Sequence, residues 1–100
     1  MIVDDLIEAM TEASGVTKEA MLSKSRKREV CAARNMIWVL LHRKHYWSYA
    51  RIGRVFNRDH ATVVQGIRRT DLYAKVPSYD EEKEICETFT RILTEKNLSV

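Results

Sequence analysis

The sequence predicts an all-α fold of about six helices with a helix-turn-helix at its centre. Three observations carry that reading. Alternating β-branched runs and Asn-Gly or Asp-Gly turns, the marks of strands and hairpins, are missing from the 100 residues. Apolar residues recur every three or four positions nearly from end to end, the period of a helix buried on one side. Residues 48–69, SYARIGRVFNRDHATVVQGIRR, read as two short helices around a tight turn. A chain of this length holds one modest core, so a single domain over 1–100 is expected.

Taken in order, Ile2, Leu6 and Met10 share one face of a first helix that stops at Gly15, a residue suited to the left-handed position after a helix end. Thr17 can cap a short second helix carrying Ala20, Met21 and Leu22. A polar, basic loop over 23–28 follows. The third helix runs to about Lys44, with Val30, Ala33, Ile37, Leu40 and Leu41 on its apolar stripe and Arg34 turned outward. Ser48 is a good N-cap for the fourth helix, which buries Ile52, Val55 and Phe56. Asn57 and Arg58 make the turn, and Asp59 caps a fifth helix burying Val63, Val64 and Ile67. The helix-turn-helix thus covers about 48–71. Pro77 closes the region after it, because proline does not continue a helix. Asp80 opens a last, acidic amphipathic helix over about 80–97, with Ile85, Phe89, Ile92 and Leu93 on one side.

Charge is distributed unevenly along this string. Between Lys24 and Arg69 stand twelve Lys/Arg against two acids, Glu29 and Asp59, a local charge of +10. The remaining residues hold five bases and twelve acids, or −7, so the net +3 hides a basic middle between acidic ends. Such a middle is the electrostatic footprint expected of a nucleic-acid binder. No apolar run approaches the roughly 20 residues of a membrane span. The opening MIVDDLIEAM carries acids where a secretory signal carries bases, so a cytoplasmic, nucleoid-associated location is expected. Cys31 and Cys86 are expected to stay reduced and to behave as small buried hydrophobes. His42 and His45 lie one helical turn apart, but no third ligand has metal-site spacing, so neither metal nor other cofactor is expected. They are expected to be solvated or to face phosphate. Paired carboxylates and a nucleophile beside a base are also lacking, which argues against an enzyme.

A helix-turn-helix places its second helix in the major groove, with that helix's first residues against base edges. Asp59 can accept from its own helix's N–H groups and from a cytosine amino group. His60 projects from the first turn. Ala61 suits a thymine methyl, Thr62 a phosphate or base edge, and Gln65 lies one turn further along the same face. Arg68 and Arg69 complement the helix dipole, and at least one is expected on phosphate. Gly66 costs about 1 kcal/mol relative to Ala inside a helix, so close approach of the preceding helix is expected there. The bases of SKSRKR, at the start of the third helix where its dipole opposes them, make sense facing phosphates or with one arginine in a minor groove. Trp38 and Trp47 are expected in the core.

At NRDHATVV the chain strongly resembles the C-terminal DNA-binding domain of the bacterial replication initiator DnaA, whose signature is close to GRDHTTV. The likeness extends over essentially the whole chain. The first thirty residues resemble that domain's opening helix, short helix and basic loop. AARNMIWVLL resembles its long helix and SYARIGRVF the first helix of its helix-turn-helix. The resemblance implies a Trp-repressor-like architecture and binding to double-stranded DNA boxes of the TTATCCACA type. On it, Asp59, His60, Ala61 and Thr62 face bases with Arg58 beside them, Arg26 enters the minor groove, and Arg28 and Arg34 hold the backbone. Lys24, Lys27, Ser48, Arg68 and Arg69 complete the expected phosphate contacts, and Gln65 the base contacts.

The chain departs from that pattern in four places. Ala61 replaces a usual threonine, and the turn FNRDH is one residue shorter than Phe-Gly-Gly-Arg-Asp-His. VVQG replaces Val-Leu-His-Ala, and Arg51 stands where a capping-box glutamate is common. The glycines Gly15, Gly53 and Gly66 do not form a G-x-x-x-x-G-K-[ST] loop, so no nucleotide binding is expected. The expected protein is a free-standing DnaA-like domain acting in replication initiation or its regulation. A transcriptional regulator is the alternative, as is a protein-interaction module that docks a partner through the acidic helix EEKEICETF.

Overall fold

The computed structural model describes residues 2–98. Six α-helices follow one another: α1 (Ile2–Ser14), α2 (Lys18–Leu22), α3 (Arg28–Arg43), α4 (Tyr49–Phe56), α5 (His60–Tyr73) and α6 (Asp80–Glu95). A 3₁₀ turn, Pro77–Tyr79, precedes α6, and the described residues contain no strand. No described helix is long and apolar enough to cross a membrane.

Local chemistry sets the helix ends. Gly15 takes φ +79° after α1. The Thr17 hydroxyl accepts the Ala20 N–H at 3.1 Å, Ser48 accepts that of Arg51 at 3.1 Å, and Asp59 that of Thr62 at 2.8 Å. Each satisfies one of the N–H groups a helix start leaves unpaired. Pro77 does not end α5, which has already stopped at Tyr73; it occupies the first position of the 3₁₀ turn, where its missing N–H costs nothing. Asn97, at φ +57°, helps close the chain after α6, which ends slightly earlier than its periodicity suggested.

The helix α3 is the hub, packing on every other helix, while α1 also lies along α6. Leu6 and Met10 of α1, Met21 of α2, and Met36, Ile37 and Leu41 of α3 meet in the core. Ile52, Phe56, Val63, Phe89 and Leu93 join them in the same buried cluster. Trp38 and Trp47 are buried as expected, and the rings of Trp38 and Phe56 meet nearly perpendicular, 5.8 Å between centroids. Three apolar expectations fail at the margin. Val55 and Leu22 are exposed, and Val64 is half-buried. Burial on the short α4 centres on Ile52, Gly53 and Phe56, which leaves Val55 on the flank. Both cysteines are free thiols, but only Cys31 is even half-buried; Cys86 is exposed.

Candidate nucleic-acid interface

The turn between α4 and α5 is built on two backbone requirements. Asn57 adopts φ +54°, ψ +51°, the left-handed region that asparagine tolerates better than most residues. The Arg58 N–H then donates to the Gly53 carbonyl at 2.8 Å. A methyl group on Gly53 would collide with the Arg58 carbonyl, so glycine is what lets the chain double back this closely. Asn57 therefore makes the turn with a single left-handed residue.

The turn sets α5 with its first residues outward. The Asp59 carboxylate is held below its ordinary pKa, first by the Thr62 backbone N–H and then by the Thr62 side chain. It caps the helix while the residue itself stays exposed to solvent. His60, Ala61, Thr62 and Gln65 are exposed, and Arg68 and Arg69 continue the polar side at the next turn. Val63, Gly66 and Ile67 face inward. A methyl on Gly66 would strike the Asn35 side-chain oxygen and come within 2.8 Å of the Trp38 ring. The close neighbour that explains Gly66 is thus α3, not the preceding helix α4.

The basic loop folds on its own serines. The Ser25 N–H donates to the Ser23 hydroxyl at 3.1 Å and the Lys27 N–H to the Ser25 hydroxyl at 3.2 Å. Beneath it lies Arg34, 3% exposed. Its Nε donates to the Met21 carbonyl at 2.7 Å. Its Nη2 reaches the carbonyls of Ser23 and Ser25 at 3.0 and 2.8 Å, with that of Ala20 at 3.4 Å. The expectation that Arg34 turns outward to hold phosphate is therefore overturned. Helix periodicity put it opposite the apolar stripe, but α2 and the loop cover that side, and the guanidinium ties them down. Burial, then the charge of Arg58, pushes its pKa below the usual arginine value.

Two further bases expected at DNA are committed to the protein. Arg28 pairs with Glu82 of α6, donates to the Ser78 carbonyl, and sits 5.1 Å from the Tyr79 ring centroid. Glu82 is itself 3% exposed. In sequence it was indistinguishable from a solvated acidic face, and only the long-range pairing singles it out. Arg58, expected beside the bases, donates instead to the Ser23 carbonyl at 2.6 Å and to its own neighbour Asn57 at 3.2 Å. His42 is also not solvated: it is half-buried, with Nδ1 2.9 Å from the Trp47 carbonyl and its ring stacked on Tyr49 at 4.1 Å.

What remains outward comes together. Lys24, Arg26, Arg58, Asp59 and Thr62 line one open cleft of about 400 Å³ between the loop and the start of α5. Arg26 also lines a neighbouring hollow with Arg69, so it stands between the two ends of the α5 surface. Gln65 shares a shallower hollow with Thr62 and Arg69. Lys27 lies apart, on the side of the loop facing Thr17 and Gly15. Ser48 is exposed at the start of α4, next to Arg51, whose guanidinium lies 3.7 Å from the Trp47 ring centroid. No group of three His, Cys, Asp or Glu that could hold a metal ion occurs among the described residues.

The family described as the bacterial DnaA protein helix-turn-helix matches residues 3–70, which is α1 through most of α5. The chain is similar to chromosomal replication initiator protein DnaA 2 of Chlamydia caviae, 40% identical over 63 residues, 63% of this chain and 14% of that protein. Against DnaA 1 of Chlamydia muridarum the identity is 34% over 80 residues, 80% of this chain and 17% of the relative. Against DnaA of Oleidesulfovibrio alaskensis it is 35% over 65 residues, 65% and 14%. The chain therefore spans 14–17% of the length of these curated relatives. No solved structure matches it.

Proposed function

Since the chain belongs to the bacterial DnaA helix-turn-helix family, we propose that it binds double-stranded DNA at boxes of the DnaA type and acts in replication initiation or its regulation. The observation that carries this reading is the shared cleft, in which the basic loop and the first turn of α5 present Lys24, Arg26, Asp59 and Thr62 together. A helix that opens with exposed polar side chains beside a cationic loop suits a major groove flanked by phosphates. In this reading Asp59, His60, Ala61, Thr62 and Gln65 meet base edges and Arg26 reaches the adjoining minor groove. Lys24, Lys27, Ser48, Arg68 and Arg69 hold phosphates. The relatives are named chromosomal replication initiator proteins.

The test is fluorescence anisotropy on a duplex carrying a TTATCCACA-type box and on a scrambled duplex, at two salt concentrations. Preference for the box that persists at the higher salt is expected. Equal, salt-sensitive binding to both would remove the sequence-specific part of the proposal. Absence of binding would remove all of it and favour a protein-docking role.

A further inference from the structure

Between them, three side chains fix the basic loop, and one of the three comes from the turn of the helix-turn-helix. Arg34 reaches up from α3 to the Ser23 and Ser25 carbonyls. Arg28 ties the far end of the loop to Glu82 on α6. Arg58, the residue immediately before the α5 cap, donates to the same Ser23 carbonyl as Arg34, at 2.6 Å. No carboxylate lies within salt-bridge distance of Arg34 or Arg58 among the described residues. Two like charges converge on one carbonyl oxygen, a placement that electrostatics alone disfavours.

We infer that Arg58 is a positioning residue that clasps the Ser23 carbonyl and so locks the basic loop to the start of the recognition helix, giving the two DNA-reading elements a single register. The inference rests on the two-groove reading proposed above, and it assigns Arg58 a role in which no base is touched. The loop is short and its remaining internal bonds are local, the Ser25 and Lys27 amides donating to the Ser23 and Ser25 hydroxyls. Those bonds shape the loop but do not orient it against α5. Arg34 and Arg28 orient it against α3 and α6. Among the described residues, the Arg58 hydrogen bond alone joins it directly to the turn that aims α5. A protein that reads adjoining grooves with two elements gains affinity when both are held in the bound geometry beforehand, because less freedom is lost on binding.

The experiment uses the full chain with Arg58→Ala and Arg58→Lys. Three duplexes serve as probes: the box, a scrambled duplex, and a box with one base pair inserted between the segments facing the loop and α5. Amide exchange of Ser25 and Lys27 is followed by NMR in the protein without DNA. A charge-assisted hydrogen bond of this kind is worth roughly tenfold in an equilibrium constant. Arg58→Ala is therefore expected to weaken the box about tenfold, to change the inserted duplex little, and to speed exchange at Ser25 and Lys27 while the amides of α5 stay protected. Arg58→Lys should recover part of both effects. Loss of box affinity with loop exchange unchanged would make Arg58 a DNA contact and overturn the inference. Equal losses on box and inserted duplex, or wild-type protein that tolerates the insertion, would overturn it as well. Wild-type protein that binds none of the duplexes would remove the DNA reading itself, and with it the shared register. In that case the exchange data would still report separately on the bond in the free protein.

Discussion

A side chain is available to read a base only if the protein does not already use it, and His60 meets that condition. It is exposed at the first turn of α5 and makes no hydrogen bond within the described residues. On the proposed reading, His60→Ala should weaken the preferred box by about 1–3 kcal/mol and relax specificity there. Anisotropy showing wild-type affinity and preference in that variant would remove His60 from the readout. Arg34 is the opposite case, a cation whose Nε and Nη2 are taken by carbonyls and whose Nη1 donates to the Cys31 sulfur. Arg34→Ala strands those acceptors under the loop and should lower stability by about 3 kcal/mol, read from urea unfolding. A loss under about 0.5 kcal/mol, the range of ordinary surface changes, would contradict its structural role. At this scale the sequence was legible where chemistry is local. Asp59, Ser48 and Thr17 cap the helices they precede, as spacing alone required. The burial of Arg34 and the bonds that Arg28 and Arg58 make within the protein were not legible, because their partners lie 9 to 54 positions away, in segments whose packing no periodicity specifies.

Among the elements, the seating of α5 on α3 governs where the recognition surface points. Gly66 permits it, since Asn35 and Trp38 occupy the space a side chain would need, and the Asn35 amide continues to the Tyr73 hydroxyl at 3.0 Å. In Gly66→Ala two effects oppose each other. Helix propensity gains about 1 kcal/mol, while forcing a methyl into a filled space costs about 1–3. Both neighbours are buried, a ring and an amide rather than the free end of a flexible chain, so the cost wins, and thermal unfolding should show a lower Tm. A raised Tm would mean α5 can shift off α3. The α6 helix contributes differently, through Glu82. The hydrogen bond from Arg28 holds its carboxyl below the ordinary value of 4.5. A carboxylate with a depressed folded pKa stabilises fully above its unfolded value and loses that contribution as pH falls through the folded one. Glu82→Gln should therefore melt below wild type near neutrality, with the gap closing as pH is taken from 6 to 3. A gap that stays constant would show that shape rather than charge is what Glu82 supplies. Helix order and most of the core could be read from apolar spacing. Val55 and the 3₁₀ turn could not, because a helix as short as α4 leaves its flank ambiguous and the turn depends on how α5 ends.

Across the whole molecule, the uneven charge of the sequence becomes an uneven pattern of pairing. Of the five bases outside the basic middle, Lys18, Arg91 and Lys96 each lie within 4 Å of an acid: Asp4, Glu95, and Glu8 with Glu12. Within the middle only Arg28 and Arg43 are paired among the described residues, with Glu82 and Asp71. The acidic helix α1 lies against α3 and α6 rather than α5. The molecule is 24–30 Å across, several times the roughly 8 Å screening length at physiological salt, so acids on the far side barely weaken the field over the loop and α5. Lys24, Arg26, Lys27, Arg68 and Arg69 are exposed and without a carboxylate partner among the described residues. If each releases the counterion of one phosphate, log affinity should fall with log salt at a slope of about −4 to −5. Arg69→Gln should then flatten the slope by about 1 on box and scrambled duplex alike. Arg91→Gln, which removes the same charge from α6, should leave it unchanged. Equal flattening by both variants would show that DNA responds to net charge alone, and that the cationic face formed by the loop and α5 has no privileged contact with the backbone.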